Sequence, residues 1–314
     1  CLPALKMLPF GTPKLMISTA AAMPSYSRQM AGYFGLRDIT VMNSVVDTVG
    51  LNAMVKRLLI NGSGAICGMA EVSRTNFSEK PAIAITEFGF CDTAAQLIRN
   101  RLESDFDIVS FHAAGIGEHA ALDFIGHGRF EAFIDLVPAG YSEYLLGGNR
   151  SVGAHRFDAG LNLGKPYIIA PCGFDMIGCG PIERRDQEDP LWVGRKLANR
   201  QLIVQDALRV QARTTTKEMQ LIARRTADRL NQSRMPHLVR FILPNQGFSS
   251  LSVQGAALHH PEADRAFIQT LKQYLNKRIE LTEVDADINA PPFAETVVTV
   301  LRNMLNSHVD RSRR

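Results

Sequence analysis

Residues 81–113 read PAIAITEFGFCDTAAQLIRNRLESDFDIVSFHA, and their division into apolar runs settles the class of fold. Pro81 to Thr86 is an apolar run of strand length. A turn carrying Gly89 leads to Asp92, a natural helix N-cap, and a helical pattern then runs to Glu103. Asp107 to Ala113 is a second strand-length run. Two strands joined by a helix make the crossover unit of a parallel sheet, because parallel neighbours cannot be joined by a tight hairpin.

The same alternation continues downstream. A glycine turn and a helix from about Glu118 follow, then strands over Ala132–Val137 and Tyr167–Pro171. The stretch from there to about Val210 is rich in Gly, Pro and charge and reads as irregular. Beyond it come a helix over Thr214–Asn231, a strand over Val239–Pro244, a helix over Pro261–Asn276, a strand over Arg278–Val284 and a last helix from Phe293 to Asn306. Residues 79–314 are therefore predicted to form a doubly wound parallel α/β sheet of Rossmann-like kind. Residues 1–78 read as a partial second α/β subdomain, with strands at Pro13–Thr19 and Asp38–Met42, a helix over Leu51–Ala70 and a polar linker over Ser73–Lys80. Two strands make a poor sheet alone, so this part is expected to be the carboxyl portion of a first subdomain, pairing with sequence outside the chain.

Composition excludes several classes. With 314 residues, 46% hydrophobic and 21% charged, the chain is neither disordered nor fibrous. It contains no apolar run of membrane-spanning length and no secretory leader pattern, which leads us to expect a cytoplasmic protein without a membrane partner. The net charge of +4 is scattered, densest at Arg224-Arg225 and in the Arg311–Arg314 tail, so no nucleic-acid partner is expected. The five cysteines are odd in number and widely spread, and Cys172 and Cys179 lack the second pair that a zinc site needs; free thiols and no metal site are the expectation. Cys1 has two readings, a nucleophile freed by self-cleavage with its own amine as base, or a truncated or proteolysed chain.

Four glycine-bearing turns fall at the carboxyl ends of predicted strands, where backbone amides and a helix dipole attract anions. The first is Phe111-His112-Ala113-Ala114-Gly115-Ile116-Gly117, with phosphate or carboxylate binding as one reading and a structural turn as the other. Thr86-Glu87-Phe88-Gly89 to Thr93 is the second, and Thr86 and Thr93 are placed to share its ligand. The third, Ala170 to Pro181, holds Gly173 and Asp175, a candidate for Mg²⁺ or a ligand hydroxyl. The fourth, Leu243 to Ser250, lacks the complete nucleophile-elbow pattern around Ser249. His112 is the acid/base or phosphate-contacting candidate, balanced against a structural histidine. His119, in the first turn of its helix, is a metal ligand only if carboxylates stand near it. His259-His260 reads as helix-start decoration.

The sequence resembles the ATP-binding domain family of the tomato inhibitor of tobamovirus replication, with its uncharacterised bacterial and fungal homologues. The matching strings include Pro13–Thr19, Asp38–Asp47, Val109–Gly117, Phe174–Met176, Arg213–Thr215, Leu243–Ser249, Pro261–Asp264, Ile288-Asn289 and Phe293-Ala294, in order over nearly the whole chain. The resemblance implies two α/β subdomains facing a cleft, homodimerisation and ATP, with or without Mg²⁺, as ligand. It also implies that an upstream part of the family domain, with a glycine-rich loop, is absent, so that a separate upstream fragment would be a partner. Where the family tends to have Gly, this chain has Glu118 and Cys172; where it has Asp, this chain has His260 and Ala290. A carboxylate beside a phosphate site weakens it unless a cation intervenes.

These readings give three functional expectations. The first is a nucleotide-binding α/β protein, with or without enzymatic action on ATP or a phosphorylated metabolite. In it Gly89, Thr93, Gly115, Gly117, Gly173 and His112 hold phosphate, Ser18 and Thr19 close the cleft, and His112 and Asp175 are the catalytic candidates. The second is hydrolysis or carbon-skeleton chemistry on a small carboxylated metabolite, with Cys172 or Ser249 as nucleophile. The third is a protein-interaction module.

Overall fold

The computed structural model describes residues 2–19, 37–72 and 80–312. Cys1, most of the Ser73–Lys80 linker and the last two residues of the basic tail lie outside the described residues. The chain divides into two compact units, Cys1–Glu79 and Lys80–Arg314.

In the smaller unit, α1 (Leu2–Met7) precedes β1 (Leu15–Ser18) and β2 (Thr40–Asn43), which pair in parallel with Leu15 opposite Thr40. The helix α2 (Ala53–Val72) lays Gly62 against the sheet; a Cβ there would stand 2.8 Å from Ile17 Cδ1. At the mouth of β1, Lys14 is fully buried, and its ammonium donates to the carbonyls of Pro9 and Thr12 and to Asp38.

The larger unit is the predicted doubly wound fold. Its parallel strands are β3 (Ala82–Glu87), β4 (Asp107–His112), β5 (Ala132–Asp135), β6 (Tyr167–Ile169), β10 (Val239–Pro244) and β11 (Glu280–Val284). They lie side by side in the order β4-β3-β5-β6-β10-β11. Side chains alternate between faces along each strand, so Ile83 and Ile85 enter one core while Ala84 enters the other. On the first face the core packs against α3 (Asp92–Leu102) and α10 (Pro291–Ser312), through Ile98, Leu102, Val297 and Leu301. The second face meets α4 (Ile116–Gly126), α8 (Thr216–Leu230) and α9 (Pro261–Tyr274), through Ile125, Ile222 and Phe267. Strand order reverses between β3 and β5, and the crevice outside such a reversal is where doubly wound proteins place ligands.

The reading of Pro171 to Val210 as irregular is corrected. β7 (Met176–Gly180), β8 (Leu202–Val204) and β9 (Val210–Arg213) form an antiparallel sheet in the order β7-β9-β8. The short helices α5 (Ala139–Leu146), α6 (Asp158–Asn162) and α7 (Pro190–Gly194) also went unpredicted. β7 carries Gly178 and Gly180, which lower strand propensity. Gly178 is there because a Cβ would stand 2.3 Å from Asn149 Oδ1 and 3.0 Å from Arg150 Nε. A glycine that admits a close neighbour looks the same in sequence as one that makes a turn.

Candidate functional site

β4 ends at His112, and the chain turns through Ala113 and Ala114 to Gly115, whose φ of +83° belongs to the region that favours glycine. The first turn of α4 then comes back onto the strand end: a Cβ on Gly117 would stand 1.8 Å from the His112 carbonyl oxygen. Both glycines are thus required by geometry. The amino end of α4 has no side-chain cap, so the amides of its first turn keep their donors free. Around Gly115 the nearest foreign atom to a built Cβ is the Cα of Arg150, at 4.0 Å. The Arg150 guanidinium is held by Glu143 Oε1 and lies over the Phe88 ring at 5.7 Å. This corner therefore combines unspent amides and a positive helix end, with the backbone of Arg150 beside it.

Glu118 does not face the corner. It is fully buried, accepts from Arg156 Nε at 2.7 Å, and caps α5 by accepting the Gly140 amide at 3.1 Å. Arg156, also buried, bridges from Glu118 to Asp135 at the end of β5, with hydrogen bonds of 3.0 and 2.7 Å. Asp135 further accepts the hydroxyls of Thr86, at 2.6 Å, and Tyr167, at 2.8 Å. Burial pushes the Glu118 carboxyl up, and the Arg156 charge opposes that without cancelling it. For Arg156 burial favours neutrality, but Asp135 and Glu118 outweigh it and hold the guanidinium charged. A cation does intervene at Glu118, from beneath the turn.

The other corners are closed. At α3, the Ala94 amide donates to Asn289 Oδ1, the Thr93 amide to Asp92, and Asn289 also donates to the Phe90 carbonyl. Gly89 and Thr93 lie exposed at this capped end. Thr86 is buried, spending its hydroxyl on Asp135 and accepting the Val137 amide. Gly173 is buried at φ +84°, where a Cβ would stand 2.7 Å from Ala139 Cβ. Asp175 is buried too; it accepts the Gly173 amide and the Ser249 hydroxyl, the latter at 2.5 Å, and so pins the third and fourth turns together. Ser249 is buried with it. Cys172 is buried, and burial together with the Cys91 thiol pushes its own thiol well above the usual range, which disfavours the thiolate a nucleophile needs. The expectation that four turns grip one ligand therefore narrows to the Gly115 corner.

His112 is exposed at that corner. Burial and the charge of Arg156 lower the pKa of His119, one turn inside α4. Among the described residues no group of three or more His, Cys, Asp or Glu stands close enough to hold a metal ion, and no helix is long and apolar enough to cross a membrane. Ser18 ends β1 in the smaller unit, and Thr19 follows it outside the strand. Sequence reasoning missed Arg150, Glu143, Asp135 and Arg156. The partners of Arg156 lie 21 and 38 residues away, so no local pattern marks it.

Residues 80–305 match the C-terminal domain of the uncharacterised protein family UPF0261, and residues 1–75 match that family's N-terminal domain. A UPF0261 protein of Clostridium tetani is 30% identical over 305 residues, covering 96% of this chain and 72% of that protein. A Rhizobium meliloti UPF0261 protein is also 30% identical, over 304 residues and 73% of its length. The ToMV resistance protein Tm-1(GCR237) of Solanum lycopersicum is 29% identical over 307 residues, which span 94% of this chain and 38% of the tomato protein.

Proposed function

This chain belongs to the uncharacterised protein family UPF0261, and we propose that its larger unit binds the phosphates of a nucleotide, ATP with Mg²⁺, at the amino end of α4. The observation that carries the reading is the contrast between that end and its neighbours. α3, α5, α8 and α9 each have a first-turn amide taken by a side chain, from Asn289, Glu118, Thr215 and His260 respectively. α4 has Gly115 instead, with no side-chain cap and an open front.

A phosphate oxygen at this corner accepts from the amides of the first turn, each unsatisfied in the free protein, and meets a helix end worth about half an elementary charge. Glycine at 115 and 117 lets the phosphate come close to the backbone. Arg150, whose backbone borders the corner and whose guanidinium is held by Glu143, is the cationic side chain that a bound phosphate would draw on. Beneath, Arg156 draws Glu118 inward, so the carboxylate that weakened the sequence argument opposes the ligand least. His112, at the rim, is the side chain placed to exchange a proton with a bound ligand. Asp175, tied to Ser249 and Gly173, has no role in this reading.

Isothermal titration of the chain with ATP and Mg²⁺ tests it. Saturable heat is expected, along with a thermal stabilisation that grows as the logarithm of ligand concentration, about 2.7 kcal/mol at a hundredfold excess over Kd. Arg150→Ala should weaken binding about tenfold, or 1.4 kcal/mol. Absence of heat and of stabilisation at millimolar ligand overturns the reading.

A further inference from the structure

Glu118 belongs to the first turn of α4, so its backbone forms part of the anion corner while its side chain runs beneath, into the buried cluster with Arg156 and Asp135. We propose that this cluster links the corner to protons: Glu118 takes up a proton when a phosphate oxyanion binds above it, so that affinity falls as pH rises. The proposal rests on the reading of α4 as a phosphate site and adds the regulation of that site.

The cluster is short of positive charge. Among the described residues Arg156 is the one cation hydrogen-bonded to either carboxylate, and it is divided between them, Nε to Glu118 and both Nη atoms to Asp135. With both carboxylates ionised, a net negative charge stays where water does not reach. The two carboxylates are also unequally served. Asp135 accepts from the Nη atoms of Arg156 and from the hydroxyls of Thr86 and Tyr167. Glu118 accepts only on Oε1, from Arg156 Nε and the Gly140 amide, and its Oε2 is buried with no partner. A buried oxygen left unpaired costs more when charged than when neutral, so Glu118 is the member placed to take the proton.

Neighbouring charges do not relieve it. On the elements packed against α4, Glu87 of β3 is paired with Arg99, and Asp158 of α6 with Arg229 and His155. Asp107 stands at the far end of β4, and His112 is exposed at the rim. Glu143 of α5 holds Arg150. Tyr141 of α5 and Tyr167 of β6 keep their protons, since burial raises both hydroxyls. Within α4, Asp123 and His127 face each other beyond the first turn, and burial and Arg156 keep His119 from taking up charge easily. Burial already raises the Glu118 carboxyl above its ordinary 4.5, with Arg156 opposing and Asp135 adding to the rise.

A phosphate bound at the corner brings more negative charge to the same turn of helix. Repulsion then favours neutral Glu118, and its titration midpoint is higher in the complex than in the free protein. The gain in affinity is complete below the free midpoint and is lost as pH rises through the bound one. Each unit by which the midpoint rises is worth about tenfold in affinity.

Isothermal titration of the full chain with ATP and Mg²⁺, from mildly acid to mildly alkaline pH and in buffers of different ionisation enthalpy, counts the protons taken up. Protons that ATP itself exchanges enter equally for the parent and for Glu118→Gln, so the difference between them belongs to Glu118. The parent should take up part of a proton more than the variant. Its affinity should fall about tenfold further over the range, and the variant should bind more tightly at the alkaline end. Carboxyl-carbon NMR of the parent needs no variant: the Glu118 midpoint should rise by about one unit on saturation with ATP and Mg²⁺. A midpoint unmoved by saturating ligand, or equal proton uptake by parent and variant, overturns the proposal and leaves the α4 reading standing. Absence of heat from both proteins overturns the two together.

Discussion

The two units use the same vocabulary, a parallel sheet with helices, and bury very different amounts of it. In the larger unit every residue of β5 and β6 is buried, and apolar helix faces cover both sides of the sheet. In the smaller unit no residue of β1 or β2 is fully buried, and of the twenty residues of α2 only Val55 and Gly62 are. Met54, Ile60 and Val72 of α2 are each more than 60% exposed. Local pattern makes a helix or a strand; a core needs enough layers to close over it. Since burying apolar surface is worth about 25 cal/mol per Å², the described residues of the larger unit gain far more from it than those of the smaller one.

The largest effect that tests this contrast comes from separating the units. Residues 80–314 alone should unfold cooperatively near the melting temperature of the whole chain, followed by circular dichroism. Residues 1–79 alone should show no cooperative transition, because a two-stranded sheet is marginal in water and, among the described residues, α1 and α2 bury little against it. A sharp melt of the smaller piece would remove the contrast.

Next in size is the buried arginine. Arg156→Met leaves Glu118 and Asp135 without their cation in a site that water does not reach, and removing one partner of a buried ion pair costs about 3–5 kcal/mol. Glu118→Gln should cost much less, since Arg156 keeps Asp135 and Glu118 Oε2 already lacks a partner. Urea unfolding of both variants measures the difference. Equal losses would show that charge balance is not what holds the end of β5.

The same two levels explain what could be read without coordinates. β3 was expected at 81–86 and stands at Ala82–Glu87; the helix expected over Asp92–Glu103 stands at Asp92–Leu102. These elements carry their own periodicity. The antiparallel sheet from Met176 to Arg213 does not, because its glycines are demanded by distant side chains such as Asn149 and Arg150. At the candidate site the glycines of residues 115–117 were legible, since they answer a local backbone need. Which turns are plugged was not: Asn289 closes α3 from nearly two hundred residues away.

A third effect is pH-dependent and confined to the larger unit. Burial raises the Asp264 carboxyl to about 6, against the lowering effect of Arg213 and with the charge of Asp175 adding to the rise. The folded protein therefore binds a proton that the unfolded chain, near 3.8, has already released. The stabilising contribution of this group is complete below about pH 4 and is lost as pH rises through 6. At about 1.4 kcal/mol per unit it amounts to no more than about 3 kcal/mol. Carboxyl-carbon NMR should find the Asp264 midpoint near 6, and a midpoint in the ordinary carboxylate range would contradict the burial argument.

The smallest effect belongs to the smaller unit and sharpens the contrast from the other side. Lys14 is as buried as Arg156, but its carboxylate partner Asp38 keeps a quarter of its side chain exposed, and the other two acceptors are carbonyls near the surface. When Lys14→Met removes the ammonium, water can reach what it leaves behind, so the cost should be only about 1 kcal/mol, the worth of a modest hydrogen-bond set. Burial pushes the Asp38 carboxyl up, while Lys14 and the Gly11 amide more than offset this and hold it below the usual range. A lowered carboxyl stabilises above its unfolded pKa and loses that contribution as pH falls through the folded value. Lys14→Met should therefore make the smaller unit both slightly less stable and less sensitive to acid. Hydrogen exchange at β1 and β2 reads both changes locally, where a global melt dominated by the larger unit would hide them. A loss as large as that from Arg156→Met would mean that the smaller unit shields its cation as thoroughly as the larger one does.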